Sequence, residues 1–272
     1  MNFNEIKNEK RKDAMRDIEL IIMALVPAIV LIGYIKGKNR TEEKSTILLA
    51  KLFVGGIIST LPAIVFEYFG EMLLERKYDQ LTTAYNAISA FLIVALIEEL
   101  VKFVVLYIFT WSSMEFNYVY DGIIFAVLSS LGFASFENIM YVTMGGAGVA
   151  VTRAILSVPG HAIFGVFMGV FYGKSRYLIV HDEKKKSHLK FVLALLVPIL
   201  LHGTYDFLLF QGNANSILKF LLLVVVMDLV AVYVINNTAR FGSTIYRYCG
   251  RCGYYNVSGF FNCKLCGSAI KH

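Results

Sequence analysis

Seven stretches of this chain, at about 18–35, 46–69, 84–109, 119–142, 152–172, 191–210 and 216–236, are each apolar over the length that a helix needs to cross a bilayer core. Backbone polar groups in lipid must be satisfied within the protein, and a segment of that length achieves this as an α-helix. The chain therefore reads as an all-α, polytopic helical membrane protein with about seven transmembrane helices. Its residues are 57% hydrophobic and 17% charged, with a mean hydropathy of +0.62. The net charge of +6 does not point to nucleic acid, because the basic residues fall in short clusters between apolar stretches. Such clusters act as topology signals. Residues 1–17 read as a charged tail on a first span rather than a secretory signal, since no small-residue cleavage site follows. Residues 18–240 form the membrane domain and 247–272 a separate module.

Lys and Arg in short loops set direction. The loop after the fifth stretch carries Lys174, Arg176, Lys184, Lys185, Lys186 and Lys190, whereas linkers 143–151 and 211–215 carry none. The first is expected in the cytoplasm and the other two outside. Alternation then places the loop of Lys36, Lys38, Arg40 and Lys44 inside, the C-terminus inside and the N-terminus outside. Lys7, Lys10, Arg11, Lys12 and Arg16 oppose that last placement, and four acidic residues up to Asp17 offset them.

Glu98 and Glu99 stand side by side in the third stretch, with Lys102 one turn on. A charge at bilayer depth costs about 2.5–3.5 kcal/mol on insertion scales, so the pair needs a reason. Glu98 and Lys102, Glu137 and Tyr141, and His202 and Asp206 are each four residues apart, so each pair shares a helix face. His161 adds a fifth-span group, with Gly165 and Gly169 allowing close helix approach. One such residue can merely tie helices together, but this many at comparable depth mark a functional interior. By the assigned directions Glu137, His161, His202 and Asp206 lie in the outer halves of their spans, so the site is expected to open outward. Lys51 and Glu67 read as span-end residues that snorkel, Asp121 as a boundary residue, and Asp228 has no evident partner.

These groups suit peptide hydrolysis, which needs an activated water, oxyanion donors and a proton for the leaving amine. Two adjacent carboxylates cannot both ionise cheaply in a dry pocket, so one is expected to keep a proton while the other acts as base. Lys102 can hold one of them charged, His161 and His202 can donate to the oxyanion, and Asp206 can orient His202. Alternatively two His with Glu137 or Asp206 bind Zn²⁺ and leave Glu98 or Glu99 as the base, although no His-Glu-x-x-His pattern is present.

Glu98-Glu99-Leu100-Val101-Lys102 resembles the Glu-Glu-x-x-Lys motif of the PrsW family of intramembrane proteases. Phe136-Glu137-Asn138-Ile139-Met140-Tyr141 resembles its Phe-Glu-x-x-x-Tyr motif and His202-Gly203-Thr204-Tyr205-Asp206 its His-x-x-x-Asp motif. His161-Ala162-Ile163-Phe164-Gly165, with Arg153 upstream, is similar to a further stretch of the family. The resemblance covers about 84–210. It implies a bacterial cell-membrane protease, distantly similar to the CAAX prenyl endopeptidases, that makes the first cut in a single-span anti-sigma factor under envelope stress. On this resemblance Glu98, Glu99, His161 and His202 are catalytic, and Lys102, Glu137, Asn138, Tyr141, Arg153 and Asp206 support them. A glutamate mechanism is favoured and a catalytic metal is not expected.

The four cysteines form two Cys-x-x-Cys-Gly knuckles, Cys249-Gly250-Arg251-Cys252-Gly253 and Cys263-Lys264-Leu265-Cys266-Gly267. Four thiolates so spaced suit one structural Zn²⁺ in a zinc-ribbon-like module, and a cytoplasmic site suits reduced thiols. A module this small needs the metal for its folding energy. The partners expected are a single-span protein and the lipid bilayer, with no nucleic acid. The competing functions are a transporter or channel relaying protons, a prenyl-protein endopeptidase facing the cytoplasm, and an inactive scaffold.

Overall fold

The computed structural model describes residues 3–40 and 42–270, so the expected side of the tail, which rests on side chains from Lys7 to Arg16, lies outside what is described. The element order is α1 (Phe3–Gly37), α2 (Thr46–Glu75), α3 (Thr83–Ile88), a π-helical stretch (Ser89–Ala95), α4 (Leu96–Thr110), α5 (Val119–Ile155), α6 (Ser157–Val180), α7 (Lys184–Gln211), α8 (Ala214–Phe241), β1 (Tyr246–Tyr248) and β2 (Tyr255–Val257). Among the described residues, five helical stretches are long and apolar enough to cross a membrane: Ile18–Gly37, Thr46–Glu75, Val119–Val180, Lys184–Gln211 and Ala214–Phe241. Val119–Val180 holds two of the segments expected from the sequence. The segment at 84–109 is not among the five, because the π-helical stretch interrupts it and Glu98, Glu99 and Lys102 charge it.

α5 is the central helix. Every side chain from Val119 to Ser135 is buried, as a helix apolar on all sides requires, and α1, α2 and α6 pack around it. Its contact with α6 is backbone to backbone: a Cβ on Gly169 would stand 2.4 Å from the Gly122 carbonyl oxygen. Gly169→Val should therefore lower stability by about 1–3 kcal/mol through overpacking, read as a fall in melting temperature in detergent. Asp121 is more than a boundary residue. Its carboxylate accepts the Asn117 and Tyr118 backbone N–H groups, each at 2.9 Å, and pairs with Lys44 at 2.9 Å. This fastens the α1–α2 connection to the start of α5.

The stretch 143–151, expected as an external linker, is helical apart from Gly146 at φ 75°, ψ −165°. Met144, Ala147, Val149 and Ala150 carry no turn signal, so one glycine redirects the chain and the helix resumes. Residues 147–155 then run back over the bundle, where Ala150 packs with Leu20 and Ala24 of α1, and α6 begins only at Ser157.

The C-terminal module is moored to the bundle. Ile245 is fully buried in the main core, Val119 N–H donates to the Ser243 carbonyl at 3.0 Å, and a bridge pairs Tyr118 with Thr244. β1 and β2 pair antiparallel, Arg247 opposite Asn256. Gly253 and Gly267, which follow the second cysteine of each knuckle, both take positive φ, the backbone relief that the motif requires.

Candidate active site

The π-helical stretch ends just before Glu98 and Glu99, and such stretches recur at functional sites. One turn later the buried Lys102 Nζ lies 2.8 Å from Glu98 Oε2 and 2.8 Å from Glu99 Oε1. It also lies 3.1 Å from His161 Nδ1 and 4.3 Å from the centre of the Phe133 ring. An ammonium carries three N–H donors and no acceptor, so His161 Nδ1 accepts. Nε2 then carries the hydrogen donated to Glu137 Oε2 at 2.9 Å. His202 faces a carboxylate at each nitrogen, Glu99 at 3.0 Å and Asp206 at 3.1 Å. Phe164 stacks on its ring, with centroids 4.7 Å apart.

A cavity of about 600 Å³ opens beside this cluster. Of the ten intramembrane residues singled out above, Glu98, Glu137, Tyr141, Arg153, His161, His202 and Asp206 line it. Glu99, Lys102 and Asn138 stand behind the wall. Glu98 and Glu99 thus differ in kind: one faces the cavity, and the other holds Lys102 and His202 from behind. Lys102, expected to hold one of the two carboxylates, bridges both. Asn138 is a strut, donating to the Ala24 carbonyl at 2.8 Å and accepting from Arg153 Nε at 2.9 Å. Arg153 in turn lies 3.1 Å from Glu137 and 4.2 Å over the Tyr141 ring. Its Nη2 nitrogen makes that ion pair.

Glu67 was missed as a cavity residue. It lines the cavity with Thr60, Ala63 and Ile64, and its Oε1 is buried without a hydrogen-bond partner among the described residues. Spacing of i, i+3, i+4 and i+7 puts these four on one helix face, a signal that was legible in the sequence. α2, α5 and α7 all contribute to the cavity from the halves farther from the cysteine module. Their opposite ends lie beside it or beside its mooring, as when His181, just before α7, reaches the Ser258 carbonyl at 3.2 Å.

Two sets of side chains have ligand atoms close enough for one cation, Glu98, Glu99 and His202, and Glu98, Glu137 and His161. The donors are carboxylate oxygens and imidazole nitrogens, which suit Zn²⁺. Glu99 Oε2 is buried without a hydrogen-bond partner among the described residues. Five carboxylates (Glu67, Glu98, Glu99, Glu137 and Asp206) gather against two permanent cations, Lys102 and Arg153. The residues fit a divalent ion, at the cost of displacing the Lys102 ammonium from the two carboxylates. In the tail, Cys249 and Cys266 sulfurs lie 3.7 Å apart and those of Cys252 and Cys263 3.5 Å apart, and all four are grouped for one ion. Although burial opposes the thiolate, the Cys266 and Leu265 backbone N–H groups and the Asn256 amide lower the Cys263 thiol to about 6.

An acid–histidine cluster sunk in an apolar helical bundle and reached through its own cavity is the arrangement of a membrane-embedded hydrolase. The profile described as PrsW family intramembrane metalloprotease matches residues 44–234. Protease PrsW of Oceanobacillus iheyensis is 34% identical over 216 residues, covering 79% of this chain and 94% of that protein. Protease PrsW of Geobacillus kaustophilus is 35% identical over 190 residues, covering 70% and 79%, and that of Bacillus subtilis is 32% identical over 191 residues, covering 70% and 82%. No solved structure matches significantly. The chain belongs to the PrsW family and is an integral, multi-pass membrane protease. The cysteine module lies beyond the matched residues.

Proposed function

We propose that this protease hydrolyses a peptide bond in a single-span membrane protein such as an anti-sigma factor, beginning regulated proteolysis in a stress response. The observation that carries the reading is a single cavity that gathers Glu98, His161, His202 and Arg153 in the bundle half away from the cysteine module. Glu98, the cavity-facing carboxylate of the pair, takes a proton from the attacking water. Glu99 is a positioning residue that holds Lys102 and His202. Arg153, which lines the cavity beside Glu137, stabilises the oxyanion, and His161 holds Glu137 and Lys102 in place. The basic loop after α6 keeps the cysteine module in the cytoplasm, which makes the cavity open outward, toward an external cut site.

A second reading is favoured by the two ligand sets and by the family's description as a metalloprotease. A divalent ion held there would polarise the scissile carbonyl and acidify a bound water. The test is cleavage of single-span anti-sigma factors by the purified full-length protein in liposomes, with and without chelator, repeated on a chain with the four tail cysteines replaced. Chelator-resistant cleavage supports the glutamate mechanism. Loss with chelator and recovery with Zn²⁺ in the cysteine-free chain supports the metal mechanism, and activity on prenylated C-terminal peptides alone would defeat the proposed substrate class.

The tail holds one structural Zn²⁺ on Cys249, Cys252, Cys263 and Cys266, with no open coordination position. Cys263→Ser should drop the tail's zinc, measured by elemental analysis, from about one ion per chain to near none. Unchanged zinc content would refute this site.

A further inference from the structure

α8 buries one stripe, which includes Phe220, Met227, Ala231 and Ile235. Its other side presents Leu221, Leu222, Val225, Leu229 and Tyr233, all exposed. Asp228 belongs to the exposed side, at the midpoint of the helix. No ion pair or hydrogen bond reaches its carboxylate from the described residues. A carboxylate in that position faces hydrocarbon at mid-bilayer, whereas ionisable groups in membrane helices nearly always face an interior and pair. Of the other acids within the spans, Glu98, Glu99, Glu137 and Asp206 each meet a cation or an imidazole, and Glu67 faces the interior cavity.

The missing partner therefore comes from outside this chain. A second copy does not supply it. Among the described residues the exposed basic groups on the spans are Lys36, Lys51, Lys174, Lys184, Lys185, Lys186, Lys219 and Arg240, each within two turns of a helix end. None presents a cation at the depth of Asp228. We propose that this face of α8 is a docking surface for the transmembrane helix of another protein, one that carries a Lys or Arg near its midpoint. The leucine and valine surround supplies the packing, and Asp228 supplies the register and the charge that selects the partner.

The test uses the full-length protein in liposomes with three synthetic single-span peptides of one Leu-rich sequence, whose central residue is Lys, Leu or Asp. Association is read by energy transfer between labelled protein and labelled peptide. The Lys peptide should bind about tenfold more tightly than its Leu twin. Asp228→Leu should abolish that preference, and Asp228→Lys should transfer it to the Asp peptide. Both variants should keep the wild-type melting temperature, since the side chain is exposed and no hydrogen bond or ion pair holds it among the described residues. Equal binding of the Lys and Leu peptides overturns the proposal. So does a Lys preference that survives Asp228→Leu, which would move the contact to the acidic cavity. Energy transfer between differently labelled copies of the protein that Asp228→Leu abolishes would make the face a self-interface instead.

Discussion

Lys102→Met should destabilise the protein by about 3–5 kcal/mol, the cost of leaving buried charges uncompensated. The ammonium is the common partner of Glu98, Glu99 and His161, and its side chain is wholly buried. Methionine replaces its volume, so the loss is electrostatic rather than a cavity effect. Two carboxylates one residue apart then face each other in low dielectric, and His161 Nδ1 loses its donor. Glu99→Gln in the same chain should return part of the loss by removing one of the charges. A double-mutant cycle on melting curves in detergent measures this coupling. Additive effects, or a wild-type melting temperature for Lys102→Met, would mean that the ammonium does not bridge the pair.

Glu98→Gln and Glu99→Gln should fail differently. Glu98 faces the cavity, and removal of a general base costs about 10²–10⁴ in rate. Because glutamine still accepts from Lys102, that variant should fold nearly as well as wild type. Glu99 is fully buried and also partners His202. Its substitution should lower both melting temperature and rate, because glutamine there removes, in a fully buried position, the charge that Lys102 and His202 share. Initial cleavage rates, compared with melting temperatures measured on the same preparations, separate the two roles. Equal profiles for the two variants would remove the distinction between base and positioning residue.

Much of this arrangement is legible in the order of residues. The apolar stretches mark the helices, and the i, i+4 spacing of Glu98 with Lys102 and of His202 with Asp206 puts each pair on one face, where salt bridges form. What spacing within one helix does not carry is which faces meet. Lys102 also reaches His161 on α6, which only the packed bundle reveals. Glu67 reads as a span-end group when taken singly; the row it completes on α2 marks one helix face, but not which helices close the cavity against that face. Asn138, expected to support the site, stands behind the wall: one residue from Glu137 is a turn of about 100°, which carries it to α1 and Arg153. The fold-back of 147–155 was hidden by glycines that read as a linker, of which Gly146 alone takes a positive φ there.

The central claim is that Glu98 activates water for peptide hydrolysis inside this cavity. Its most direct test is cleavage of a single-span anti-sigma factor by the full-length protein in liposomes made up in oxygen-18 water, with products read by mass spectrometry. The account predicts one internal cut near the external end of the substrate's span, one heavy oxygen at the new C-terminus, and no such product from Glu98→Gln. A labelled product formed by Glu98→Gln at the wild-type rate would contradict it.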